Sequence, residues 1–115
     1  MLSFPPAVRI WLCVQPTDLR KSFDSLAELV RQHLEANPLS GHVFVFRNRR
    51  SDRVKLLYWD EDGFVIVYKR LEEGTFPFPV AAPGHLLDAG SGARGEIREG
   101  LVAAVRLHRA VAQLD

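Results

Sequence analysis

The chain predicts an α+β fold: a small antiparallel sheet, a meander of about four or five strands, with one packed amphipathic helix and a C-terminal helical tail. Three observations carry that expectation. Three short runs, HVFVF, VKLLYW and FVIVYKR, are rich in the β-branched and aromatic residues that fill a pleated surface. Ahead of them Leu19, Phe23, Leu26, Val30 and Leu34 recur at spacings of four, three, four and four, the period of a helix with one apolar face. A length of 115 residues, 47% of them hydrophobic and 25% charged, is enough for one modest core. The chain therefore reads as one domain over residues 1–79 and a tail over 80–115.

The elements follow in order. Ile10 to Val14 is short, apolar and bounded by Pro5, Pro6 and Pro16, so it reads as a strand near the sheet edge that proline keeps from extending. Thr17 or Asp18 offers an N-cap oxygen to the helix. Asn37 and Pro38 stop that helix, because proline disfavours helical geometry in the residue before it. The three runs from His42 onward form the meander. Asp60 to Gly63 has the acidic and glycine chemistry of a tight hairpin, which accounts for its carboxylates without metal or acid–base work. Glu72 to Gly74 make another turn, and Thr75 to Phe78 alternate well enough to add a short strand ended by Pro77 and Pro79.

Period two places Lys55, Leu57 and Trp59 on one face of their strand and Val54, Leu56 and Tyr58 on the other. Both faces are largely apolar, and the helix covers only one. The other is covered by the N-terminal strand or the tail, or stays open for a partner protein. After Pro79 the composition changes: five of the eight glycines lie between Gly84 and Gly100, and no aromatic follows Phe78. That stretch reads as a loose linker. Glu96 to Leu114 then resumes a helical pattern through Ile97, Leu101, Val105 and His108 or Val111, weakened by Gly100.

Formal net charge is only +1, so the stretch RNRRSDRVK, Arg47 to Lys55, is a local concentration of five cations with one acid. A clustered basic loop beside aromatics suits an anionic partner, nucleic acid first. Its plain alternative is a solvated hairpin tip. Arg20 and Lys21, read as lying in the first helical turn, oppose the helix dipole, and so call for ion pairs with Asp18 and Asp24 or for a functional use.

Other chemistries find little purchase. Cys13 is the only cysteine, so an internal disulfide and a thiolate zinc cage are both ruled out. His33, His42, His85 and His108 lack the spacing that sets two ligands on one helix face. There is no phosphate loop of the GxxxxGK[ST] kind, no GxGxxG and no nucleophile elbow. Strand transfer needs acids that hold two metal ions, whereas the acids here lie in turns or, as Glu28 and Glu35, on the outer face of the helix. The expectation is a protein with no catalytic residues, metal, cofactor or small-molecule substrate. No apolar run approaches the roughly 20 residues of a membrane span, and the N-terminus lacks a basic leader, so a cytoplasmic location without membrane contact is expected.

The segment TDLRKSFDSL at Thr17 to Leu26, with SGHVFVFRNRRSDRVKLLYWDEDGFVIVYKRLEEGTFPFP at Ser40 to Pro79, resembles the TnpB accessory proteins of the IS66 group of bacterial insertion sequences, products of the second open reading frame. Thr17, Asp18, Arg20, Lys21, Phe23 and Asp24 match the first block of the family pattern. Phe46, Arg47, Asn48, Arg49, Arg50, Asp52, Lys55, Leu57, Trp59, Asp60, Gly63 and Phe64 match the second. Lys69, Arg70, Leu71, Glu72, Gly74, Phe76 and Pro79 match the third. The resemblance covers Val8 to Pro79 and implies an accessory role in transposition and DNA recombination, beside a separate and larger transposase of the same element. From Val80 the match fails, which together with the glycine and alanine enrichment motivates the expectation of a frameshifted or replaced C-terminus.

Two modes of action follow, and they are compatible. In the first, Arg47, Arg49, Arg50, Arg53, Lys55, Lys69, Arg70 and Lys21 bind nucleic acid, with the element ends as the DNA partner. In the second, Tyr58, Trp59 and Tyr68, with Phe44 and Phe46, dock the protein on the transposase without direct DNA binding. Core packing competes for those aromatics, because a small domain needs large side chains at its centre.

Overall fold

A computed structural model of the chain describes residues 8–76 and 86–88. Its elements are β1 (Ile10–Cys13), α1 (Phe23–Gln32), β2 (Val43–Arg47), β3 (Arg53–Asp60), β4 (Gly63–Arg70) and β5 (Leu86–Asp88). The strands lie in the order β4-β3-β2-β1-β5. The meander of β2, β3 and β4 is antiparallel as expected. The sheet as a whole is mixed, which corrects the antiparallel reading: β1 runs parallel to β2, with Ile10 opposite Val43 and Leu12 opposite Val45. The cause is the connection, since a helix between two neighbouring strands carries the chain back to its starting end and forces them parallel.

β1 lies one strand in from the edge, because Leu86–Asp88 pairs antiparallel with it on the outside. Those three residues fall in the stretch read as a loose linker, so that reading is corrected for them. The strand expected at Thr75 to Phe78 is absent at Thr75 and Phe76. There the Phe76 N–H donates to the Ser51 carbonyl at 2.7 Å, clipping the segment onto the β2–β3 loop instead of laying it along the sheet. Phe78 and the helix expected over Glu96 to Leu114 lie outside the described residues.

The helix is shorter than its apolar spacing indicates. Asp18 is not its N-cap: its carboxylate accepts the Arg20 N–H at 3.0 Å and pairs with the Arg20 guanidinium at 2.7 Å, while the Lys21 N–H closes a turn on the Asp18 carbonyl. That use of the oxygens delays the helix to Ser22, whose N–H is accepted by Ser25 Oγ at 2.9 Å. At the other end Glu35 adopts φ 52°, which ends the helical path before Asn37 and Pro38. Leu19 and Leu34 are buried from the flanking turns, whereas Phe23 is exposed.

Both faces of the sheet are core. On the helix side Leu26, Ala27 and Val30 of α1 pack with Leu19, Leu34, Cys13, Phe44, Phe46 and Leu57. On the other side Ile10, Leu12, Val43, Val45, Val54, Leu56, Tyr58 and Val67 form a second cluster, with Val8, Val65 and Phe76 against it. The second face is thus buried within the chain rather than held open. Among the described residues twelve large side chains are sealed almost completely, Tyr58, Phe44 and Phe46 the bulkiest of them.

Candidate nucleic-acid interface

Parallel pairing of β1 with β2 has a consequence for charge. It brings the C-terminal end of β1, the turn before α1, the β2–β3 loop and the end of β4 to one end of the sheet. Of the described Lys and Arg side chains, all but Arg9 and Arg31 lie at that end. The opposite end carries Asp60, Glu61 and Asp62.

The loop at the basic end is built by Asn48. Its Oδ1 accepts the Arg53 N–H at 3.1 Å, its Nδ2 donates to Asp52 at 2.6 Å, and its carbonyl accepts the Ser51 N–H at 3.1 Å. Ser51 takes φ 58° to close the turn. Leu71 and Phe76 donate backbone N–H groups to Asp52 and Ser51, so the chain beyond β4 braces the loop from outside. The result is a rigid tip that holds Arg49 and Arg50 exposed at its crest. The Asn48 hydrogen bond, and then the charges of Arg50 and Arg53, hold the Asp52 carboxyl below its ordinary range.

Arg53 and Arg70 stand directly opposite each other where β3 meets β4, with Val54 opposite Lys69 and Lys55 opposite Tyr68 in the next pairs. Opposed residues share a face, so Arg53, Arg70 and Tyr68 lie on the helix side and Lys69 on the other. Arg70 pairs with Glu72 at 3.0 Å, and Arg53 Nη1 donates to the Tyr68 hydroxyl at 3.5 Å. Both partners of the Arg70 pair are mostly exposed, so solvent screens it. Arg49 and Lys69 have no salt-bridge partner among the described residues.

Two of the eight cations read as nucleic-acid contacts are engaged within the fold. Lys55 is only 9% exposed; its Nζ donates to the Lys21 carbonyl at 2.7 Å and lies 4.9 Å from the Tyr68 ring centroid. A cation so enclosed needs a partner to offset desolvation, and here that partner ties the turn before α1 to the sheet. Arg47 is half-buried and reaches across to the Val14 carbonyl at 3.1 Å and Ser51 Oγ at 3.3 Å, while its own carbonyl accepts the Thr17 N–H at 2.8 Å. It clasps the ends of β1 and β2. Lys21 is half-buried and, with Arg20, precedes the helix, so neither lies in the first helical turn as read from sequence.

The aromatics separate as sharply. Tyr58 is 1% exposed and belongs to the core with Phe44 and Phe46, which removes it from any docking surface of the folded domain. Trp59 is partly covered and packs edge-on against Phe64, centroids 5.1 Å apart. Tyr68 alone of the three is open, at 51%. The roles of Asn48 and Glu72 are not legible from residue type; the recurrence of Asn and Asp four apart around an Arg-Arg-Ser tip is the available signal for the first. Cys13 is buried beside Thr17 and Gln15, and burial raises its thiol pKa.

Fold and charge together define a small α+β domain whose sheet is basic at one end and acidic at the other. The chain belongs to the IS66 Orf2-like protein family, whose sequence profile matches residues 8–88. The match continues beyond Pro79 and through β5, which corrects the expectation that the resemblance stops at Val80. Two uncharacterized proteins of Sinorhizobium fredii are similar: y4jC, 42% identical over 69% of this chain and 68% of its own length, and y4hO, 40% identical over 73% of each. No solved structure matches the chain significantly. The family ties the protein to the transposition of an insertion sequence as an accessory component. Among the described residues no helix is long and apolar enough to cross a membrane.

Proposed function

We propose that this protein acts in insertion-sequence transposition without catalysis, by binding nucleic acid in the cytoplasm through the basic end of its sheet, with the element's DNA and its transposase as partners. One observation carries the reading: Arg53 and Arg70 are set directly opposite each other beside a braced loop that presents Arg49 and Arg50. Like charges in opposed positions cost stability, and an isolated fold gains nothing by gathering them. A phosphate backbone repays that cost by releasing its counterions as each cation binds. The family's link to transposition supplies the context, and the core position of Tyr58, Phe44 and Phe46 takes from the docking alternative most of its surface.

Affinity for a duplex bearing the element ends, followed by fluorescence anisotropy between about 50 and 200 mM salt, tests the reading. Binding falls steeply with salt, and replacing Arg49 and Arg50 together by Ala lowers the slope of log affinity against log salt by about 2. A salt-independent affinity, or a slope untouched by the double substitution, rejects it.

A further inference from the structure

On the helix side of the sheet, where β3 begins and β4 ends, Arg53, Tyr68, Arg70 and Glu72 line an open cleft of about 290 Å³. Its lining includes an aromatic ring that is held in place yet half exposed. The Lys55 ammonium sits over the Tyr68 ring, and Arg53 donates to its hydroxyl. Lys55 is itself fixed by the Lys21 carbonyl, and Arg70 is oriented by Glu72 through Nε and Nη2, both on one carboxylate oxygen. Half of the Tyr68 surface nonetheless faces solvent, between two arginines. Hydrophobic packing explains none of this, because the ring contributes to neither core cluster.

We infer that this cleft receives an unpaired nucleobase, stacked on Tyr68 with its flanking phosphates on Arg53 and Arg70, so that the basic end prefers single-stranded or locally opened DNA to intact duplex. The inference rests on the nucleic-acid reading above and names the form of DNA that the site takes. In a duplex the base faces are covered by their neighbours, so an exposed tyrosine finds no stacking partner there unless a base is first displaced. A single strand offers every base, and stacking is indifferent to which base it is. Planar guanidinium groups on either side match phosphate oxygens and can stack as well. Lys55 and the Tyr68 hydroxyl contact preorganise the ring, which lowers the ordering cost of binding. The Glu72 carboxylate, at the cleft rim, repels a phosphate on its own side and so restricts where the backbone can pass.

The full chain is titrated with a fluorescently labelled oligothymidylate and, separately, with a duplex of the same length. Charge alone favours the duplex, whose charge density is higher, so a preference for the single strand isolates the stacking contribution. The single strand is expected to bind at least tenfold more tightly. Tyr68→Ala loses about tenfold on the single strand and leaves the duplex unchanged, while Tyr68→Trp retains single-strand binding. Thermal melts of both variants confirm that the fold persists. Equal or tighter binding of duplex, or a single-strand affinity that Tyr68→Ala does not move, overturns the cleft assignment while sparing the proposed function; failure to bind either form overturns both.

Discussion

The two hairpins of the meander join strands of the same sheet and are built in opposite ways. The acidic turn at Asp60 to Gly63 is minimal: two residues bridge the paired ends of β3 and β4, and Glu61 takes φ 55° to do it. The basic loop at Asn48 to Asp52 is longer and is braced by side-chain hydrogen bonds from Asn48 and by backbone donors from beyond β4. Charge on the acidic turn is a by-product of hydrophilic turn chemistry. At the basic loop the chain spends a scaffold to hold cations in fixed positions. A net charge of +1 conceals this, because 15 cations and 14 acids nearly cancel over the whole chain wherever they lie in the fold.

Substitutions at the two hairpins and beside them separate cations that serve the fold from cations that serve binding. The largest effect is expected at Lys55, a cation of the basic end that serves the fold. Lys55→Met leaves the Lys21 carbonyl without its donor and costs about 1–3 kcal/mol in denaturant unfolding, while the salt dependence of DNA binding stays as in the parent. A flattened salt slope in the folded variant would return Lys55 to the interface. At the acidic turn, Glu61→Gly relieves a left-handed backbone and raises stability by about 0.5–1 kcal/mol, with DNA affinity unmoved. The smallest effect concerns Asp18, whose carboxyl is held down to about 2 by the Arg20 guanidinium and the Arg20 N–H. Because the folded pKa lies below the ordinary carboxylate value, the pairing stabilises the fold above about pH 4 and is lost as pH falls toward 2. Asp18→Asn therefore removes a modest acid-sensitive part of the melting temperature over that window, and a melting profile that keeps the parent's pH dependence would contradict the pairing.

What the sequence revealed was what is local. Alternation in HVFVF, VKLLYW and FVIVYKR, with turn residues between them, specifies a meander within one stretch of chain, and the tight hairpin at Asp60 to Gly63 is a short-range property. The parallel partnership of β1 and β2 joins segments some thirty residues apart and leaves no mark in either. β5 is three residues long, too short to show an alternation, so nothing in Leu86–Asp88 announces it, although Leu86 packs against the helix-side core. The helix start is not legible in the sequence, because Asp18 has two uses for its oxygens and the periodicity cannot say which prevails. For the site, residue type disclosed charge but not partners: Arg47 and Lys55 read as two more cations of a basic cluster and are spent on carbonyl groups across the fold. Lys55 was the more legible of the two, since period two placed it beside Leu57 and Trp59 on a largely apolar strand face. Tyr68 and Tyr58 were indistinguishable as aromatics in apolar strands, and only the register and the cover on each face separate an open ring from a buried one.

The proposed binding mode is spatial: one end of the sheet meets nucleic acid and the other does not. Amide chemical-shift mapping of the full chain during titration with element-end DNA tests it residue by residue. Perturbations confined to residues 18–21, 48–53 and 68–72 are expected, with residues 60–63 unmoved. Shifts centred on the acidic turn and the adjoining Trp59 and Phe64, or an unchanged spectrum at saturating DNA, would contradict it.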